Sequence, residues 1–390
     1  MSKNISTSRG AHEILKDSDI HSKIFRLHDI SHFQLTNRMV TWTRPKLIAE
    51  ISECRNEQEA MFLFLMECFN NPIFACRWLL GVDLLPFQAA ILYTMWNHRF
   101  VYLLASRGSG KSFSYAIYAL LRCLLVPNCR VVIVSGSFRQ SRFVFDYIRQ
   151  IYENWPILRQ IARPEEPKIG IDHCRFKIGS SNIVAIPIGS SQFIRGFRST
   201  VTLVDEFQIL DEEVFKVVVW GFSAVSQTPN ERVRRMSRKD SRWIGYTRVD
   251  KNETTEIGNQ VILCGTASFE FNHAYKWYCN YQNIIKTRGK KEHIRRLVGD
   301  ELSDRELEAF NWKDFAVITL PHELLPAGFL DESIVVNAKI NMPQEFFDME
   351  YNCIWVSDTT GFIPMSLIKS HTEGEVENGS LSPCVMGVGW

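Results

Sequence analysis

Eight consecutive residues, Ala105, Ser106, Arg107, Gly108, Ser109, Gly110, Lys111 and Ser112, concentrate chemistry more densely than any other stretch of the chain. They follow the x-x-x-x-x-Gly-Lys-Ser spacing of a phosphate clamp, with Ala105 where the commonest form has its first glycine. Gly108 and Gly110 lack a Cβ and reach positive φ without penalty, so successive backbone N–H groups can converge on an anion. A helix starting near Lys111 adds its positive dipole end. Lys111 offers a point charge to the β- and γ-phosphates, and Ser112 a hydroxyl ligand for Mg²⁺. The expected nucleotide-binding set is therefore Ser106 through Ser112.

Three further groups extend this chemistry. Asp205 and Glu206 close an apolar run from Val201 to Val204. Asp205 at a strand end is expected to hold Mg²⁺, and Glu206 to orient and deprotonate the attacking water. Paired acids also favour helix N-termini for purely structural reasons; their company with the clamp selects the metal and water roles. Upstream, Gln88 follows Pro86 and Phe87 ahead of a helix, and its amide offers the donor and acceptor faces that match N7 and N6 of adenine. A helix cap is the other reading of Gln88. Downstream, Thr266, Ala267 and Ser268 follow Gly265 at the end of a further apolar run. There they could exchange partners when a γ-phosphate leaves, which would make them a coupling element.

Strands and helices must place these groups together. Val101 to Leu104 reads as a buried strand and Phe113 to Leu125 as an apolar helix, so the clamp has the strand, turn and helix around it that its mechanism requires. Arg130 to Ser135 and Gln260 to Cys264 are further buried strands, with an amphipathic helix from Gln140 to Trp155 between them. Glu57 to Phe69 and Ile73 to Leu80 read as helices split by Asn70, Asn71 and Pro72. A hairpin is expected around Gly179 to Asn182, one helix over Tyr275 to Leu297, and a strand over Phe315 to Leu320. Repeated alternation of strand and helix implies an α/β fold with a mainly parallel central sheet flanked by helices.

Composition is ordinary for a globular protein of 390 residues, with 45% apolar residues. A net charge of only +2 excludes a globally basic surface, so nucleic-acid contact must come from local patches. One candidate is the stretch of about 220 to 260, where Arg232, Arg234, Arg235, Arg238 and Lys239 gather among turn formers; a DNA-tracking loop and a solvated loop are both open there. Ten cysteines form no C-x-x-C pair and read as reduced core residues of an intracellular protein. No apolar run has the eighteen or more residues that span a bilayer, so no membrane association is expected.

The ordered set of Gln88, the clamp with Arg107 inside it, Ile194-Arg195-Gly196-Phe197-Arg198 running into Asp205-Glu206, and then Gly265-Thr266-Ala267-Ser268 resembles the ATPase domain of the large terminase subunit of tailed bacteriophages. The resemblance covers about residues 57 to 360. It implies a P-loop NTPase of the ASCE type with a small lid subdomain at about 270 to 345, and ATP and Mg²⁺ as substrate and cofactor. Implied partners are double-stranded DNA, a capsid portal protein and a small terminase subunit, in a ring of identical subunits in the host cytoplasm. Arg107 becomes a candidate arginine finger acting in cis, with Arg195 and Arg198 as candidate donors to a neighbouring subunit. Residues 1 to 56 form an N-terminal arm and 361 to 383 a linker. The apolar stretch 384 to 390 matches the opening strand of an RNase H-like nuclease, cut short. Gly389 stands about where the family places an Asp, so nuclease activity is not expected. Two other functions share the same site chemistry: a helicase-like remodelling ATPase, and a nucleotide-dependent DNA- or portal-binding scaffold with little turnover.

Overall fold

A computed structural model describes residues 24–26, 53, 54, 56–170, 173–187, 198–216, 220–223, 259–298, 303, 307 and 310–357. Apolar runs that are buried on both sides need partners on both edges, and the chain answers with a nine-stranded sheet. Its strands are β1 (Ile24–Arg26), β2 (Phe100–Ala105), β3 (Arg130–Ser135), β4 (Lys168–Ile169), β5 (Cys174–Ile178), β6 (Ser181–Pro187), β7 (Val201–Asp205), β8 (Gln260–Gly265) and β9 (Phe315–Leu320). The spatial order is β1-β9-β2-β8-β7-β3-β6-β5-β4. Along that order every pairing from β1 to β6 is parallel, and only β4, β5 and β6 pair in antiparallel fashion. The clamp strand β2 lies inside this sheet, with Phe100 opposite Val261 on one side and Phe315 on the other.

Side chains along each strand alternate between two cores. Val101, Leu103, Ala105, Val131, Ile133, Ile262 and Cys264 face one of them. Tyr102, Leu104, Val132, Val134, Val204 and Leu263 face the other. Each such aliphatic side chain contributes about 1.5–3 kcal/mol on full burial, which is what holds β2 at the centre. The first core is closed by α1 (Glu57–Asn70), α2 (Pro72–Leu80), α3 (Pro86–Asn97), α4 (Lys111–Leu125), α5 (Phe138–Asn154) and α6 (Pro156–Ala162). The second takes Ala274, Tyr281, Ile284 and Ile285 from α7 (His273–Lys286) and Ile294 from α8 (Lys291–Val298). Two short helices, α9 (Glu332–Asn341) and α10 (Gln344–Glu350), follow β9.

Local signals set the boundaries. Asn71 ends α1 and starts α2: its backbone N–H donates to the Glu67 carbonyl at 2.8 Å, and its side chain accepts from Phe74 N at 3.2 Å. Pro72 then sits at the first helical position, where its missing N–H costs nothing. The hairpin expected near Gly179 forms between β5 and β6, with Ile178 opposite Ser181.

One expectation is corrected. Tyr275 to Leu297 is two helices rather than one, because Arg288 and Gly289 both take positive φ (53° and 63°). Gly289 N donates back to the Ile284 carbonyl at 3.0 Å, a left-handed stop that ends α7. Within the range of about 270 to 345, β9 pairs with β2 over six residues, so its run FAVITL belongs to the central sheet. The segment 194–197 with Arg195, most of the basic stretch 220–260, the linker 361–383 and the stretch 384–390 lie outside the described residues, as does most of the arm 1–56. Among the described residues no helix is long and apolar enough to cross a membrane.

Candidate active site

The clamp forms because β2 ends at Ala105 and α4 begins at Lys111, leaving five residues to reverse the chain. Gly108 and Gly110 make the reversal at φ of +76° and +79°, the left-handed region that other residues enter at a cost of about 1–2 kcal/mol. Ser109 tightens the loop, its N–H and hydroxyl both donating to the Ser106 carbonyl at 3.3 and 2.7 Å. Lys111 is buried, and its ammonium donates to the carbonyls of Ala105 and Ser106, both at 3.1 Å. The positive charge is therefore inside the curve of the loop, at the position a phosphate clamp needs. Gly110 also caps α4, whose first N–H groups face the loop.

The acidic end of β7 arrives from across the sheet. The Ser112 hydroxyl donates to Asp205 Oδ2 at 3.1 Å, which joins the first turn of α4 to the strand end. The Tyr115 hydroxyl, one turn on, lies 3.0 Å from the carbonyls of both Val204 and Ile262, shares its one proton between them, and so fixes α4 against β7 and β8. Asp205 is buried, and its carboxyl is pushed up to about 6, first by burial and then by the neighbouring Glu206 charge. Lys111, the Ser112 hydroxyl and the Glu206 N–H pull in the opposite direction. A buried carboxylate next to a hydroxyl makes an oxygen-only donor set of low ligand count. That suits Mg²⁺, which keeps waters and phosphate oxygens in its shell, better than Zn²⁺. Among the described residues no group of three His, Cys, Asp or Glu could form a denser metal site. A cleft of about 410 Å³ opens beside Ser112, lined by Phe143, Asp146, Tyr147 and Gln150 of α5.

Glu206 holds a left-handed backbone (φ 51°, ψ 52°), which for a residue with a Cβ costs about 1–3 kcal/mol and concentrates at functional sites. Thr266, the first of the residues expected to act in coupling, meets the Glu206 carboxylate through Gln208, which no sequence motif marks. Gln208 Nε2 donates to Glu206 Oε2 at 2.6 Å and to Thr266 Oγ1 at 3.1 Å. Thr266 and Ala267 are buried, and the Ser268 carbonyl accepts from Val356 N at 3.2 Å. The only signal for Gln208 is an amide two residues beyond the acidic pair, in an otherwise apolar run.

Gln88 lies in the first turn of α3, and both readings of it find a counterpart. Its Oε1 accepts from Leu85 N at 2.9 Å, which is a helix cap. Its Nε2 lies 3.8 Å from where a Cβ on Gly110 would stand, so the amide also borders the clamp. Arg107 is exposed on the loop, and its backbone N–H donates to the Glu350 carbonyl at 2.7 Å. Arg198 is exposed ahead of β7. The chain after β9 also borders the loop: Ser106 N donates to the Leu320 carbonyl at 2.9 Å, and Leu330 lies over Gly108. These contacts come from residues far along the chain with no motif of their own.

No protein-family model and no curated protein matches the chain. Solved structures do. The large terminase ATPase domain of Thermus phage P74-26 is 13% identical with a TM-score of 0.46, over 72% of this chain and 97% of that one. The large terminase of a thermophilic bacteriophage, in complex with ATP-γ-S, is 11% identical with a TM-score of 0.39, over 69% of this chain and 52% of that one. The large terminase of bacteriophage HK97 is 14% identical with a TM-score of 0.36, over 58% and 46%. This chain thus spans about half the length of the last two. Its structural neighbours are phage large terminases at low sequence identity.

Proposed function

We propose that the chain is an ATP-hydrolysing motor subunit that drives double-stranded viral DNA into a procapsid, acting as the ATPase part of a large terminase subunit. The observation that carries the ATPase reading is the convergence of Lys111, Ser112, Asp205 and Glu206 around one loop, with Ser112 and Asp205 in direct hydrogen bond. The ordered motif set supports the packaging role, which extends to a capsid portal, a small terminase subunit and a ring of identical subunits as partners.

In this mechanism the N–H groups of Gly108 and Gly110, the first N–H groups of α4 and the Lys111 ammonium hold the β- and γ-phosphates, since the N–H groups of Ser106, Arg107 and Ser109 already donate to protein carbonyls, and Gln88 reads adenine with its amide. Ser112 and Asp205 would hold Mg²⁺, which would supply neutralisation of the phosphate charge. Glu206 accepts the proton of a water whose oxygen attacks the γ-phosphorus. The bond from that phosphorus to the bridging oxygen breaks, leaving ADP and inorganic phosphate. Arg107 stabilises the charge on the transferring group from within the loop, and Arg195 or Arg198 is the alternative donor, from a neighbouring subunit. Thr266 to Ser268 change partners as phosphate leaves and pass that change to the DNA-gripping surface.

Steady-state ATP turnover with and without duplex DNA tests this reading. Lys111→Ala and Glu206→Gln are expected to abolish DNA-stimulated turnover, and its survival in either variant contradicts the assignment. A strand-separation assay on a tailed duplex distinguishes the helicase-like alternative, which alone predicts unwinding.

A further inference from the structure

We infer that Gln208 is a positioning residue that sets the orientation of the Glu206 carboxylate and ties it to Thr266. The inference rests on the ATPase reading above. Gln208 Nε2 has two protons, and each meets one oxygen: Glu206 Oε2 at 2.6 Å and Thr266 Oγ1 at 3.1 Å. The reversed amide would put its oxygen against a carboxylate, so these partners settle its orientation. Gln208 Oε1 is then left buried with no hydrogen-bond partner. Buried acceptors are rarely abandoned in this way, and here both donors of the amide are kept on the catalytic acid and the threonine instead.

Three neighbouring features hold the amide in place. Gln208 Oε1 lies 2.1 Å from where a Cβ on Gly265 would stand, so any side chain at the end of β8 would displace the amide. The Gln208 carbonyl accepts from Asn272 Nδ2 at 2.9 Å, and the Asn272 side chain also accepts from Ala274 N at 2.9 Å, capping α7. Glu206 itself turns toward Gln208 through its left-handed backbone. The bridge therefore joins the strand end carrying the water-activating acid, the strand end carrying the coupling residues, and the first turn of a core helix. Thr266 accepts from Gln208 and so retains its own proton for a further acceptor, such as a phosphate oxygen. A change in what Thr266 donates to would reach Glu206 through one amide.

Turnover and nucleotide affinity separate this role from plain packing. Gln208→Met keeps the side-chain length over Gly265 and removes both donors. It is expected to lower kcat by about ten- to a hundredfold, as a misplaced catalytic group does, with KM and fluorescent-ATP affinity within about twofold of the parent protein. Gly265→Ala, which displaces the amide without changing it, is expected to reproduce that split. Thr266→Val is expected to lower kcat too, and Gln208→Met/Thr266→Val no further than the more damaging single change, because both break one bridge. A Gln208→Met protein with parental kcat, or losses that multiply fully in the double variant, would overturn the inference. If Gln208→Met is active while Glu206→Gln is dead, the positioning role fails and the ATPase reading stands. If the parent protein does not hydrolyse ATP, both fail together.

Discussion

Replacing Asp205 by Asn should make the metal-free protein more stable while abolishing its turnover, because the fold holds this carboxylate against its own ionisation. Its carboxyl is pushed from the ordinary 3.8 up to about 6 by burial and by Glu206. That gap, at about 1.4 kcal/mol for each tenfold in the proton equilibrium, is a cost of about 3 kcal/mol once the group is ionised. The sign follows from linkage: a carboxyl raised in the fold favours folding below its unfolded value, and that advantage is lost as pH rises through about 6. Asn carries no charge at any pH and keeps an acceptor for the Ser112 hydroxyl. If exchanging the second oxygen for an amide forfeits about 1 kcal/mol, a net gain of about 2 kcal/mol remains at pH 8. Thermal denaturation in EDTA should then show Asp205→Asn melting roughly 2–3 °C above the parent at pH 8, since the unfolding entropy scales with chain length, with the gap falling below about 1 kcal/mol at pH 5. Adding Mg²⁺ to the ADP-bound proteins should stabilise the parent further and the variant much less. A variant equally or less stable than the parent at pH 8, or a gap independent of pH, would refute the reasoning that Asp205 is a desolvated acid kept for a cation.

Other expectations follow from single contacts. Gly110→Ala places a Cβ at φ +79° with no heavy atom nearer than 3.8 Å, so its cost is backbone strain of about 1–2 kcal/mol; urea denaturation should read that loss, together with weakened nucleotide binding. Tyr115→Phe removes the hydroxyl that donates to Val204 and Ile262 and should destabilise by about 1–2 kcal/mol, again by urea denaturation. Gln88→Ala should reduce the preference for ATP over GTP by about tenfold, the worth of one hydrogen bond, as measured by competition binding; unchanged selectivity would leave Gln88 as a cap alone.

Much of the site was legible because its chemistry is local. Gly108, Gly110, Lys111 and Ser112 are neighbours in sequence and stay neighbours in space, and the run Val201 to Asp205 predicts both a buried strand and an acid at its end. The parallel sheet was legible for the same reason, since β2, β3, β7 and β8 are short apolar runs between turn signals. What was hidden depends on long-range pairing. That β9 lies beside β2 follows from the pairing of Phe315–Leu320 with Phe100–Ala105, and a lone apolar run gives no sign of which edge it joins. Gln208 was invisible because its two partners lie on different strands, and because nothing about an amide in an apolar turn distinguishes a bridge from a surface residue. The break in α7 hinged on Arg288 taking a left-handed backbone, which a strongly basic, amphipathic stretch does not announce.

In the proposed mechanism Glu206 is the base for water attack at a site organised by Lys111. Single-turnover hydrolysis of radiolabelled ATP, with and without duplex DNA, measures this most directly in the parent and in Glu206→Gln. The prediction is DNA-stimulated phosphate release by the parent, and ATP bound at near-parental affinity but left intact by Glu206→Gln. Phosphate release by Glu206→Gln at the parental rate would contradict it.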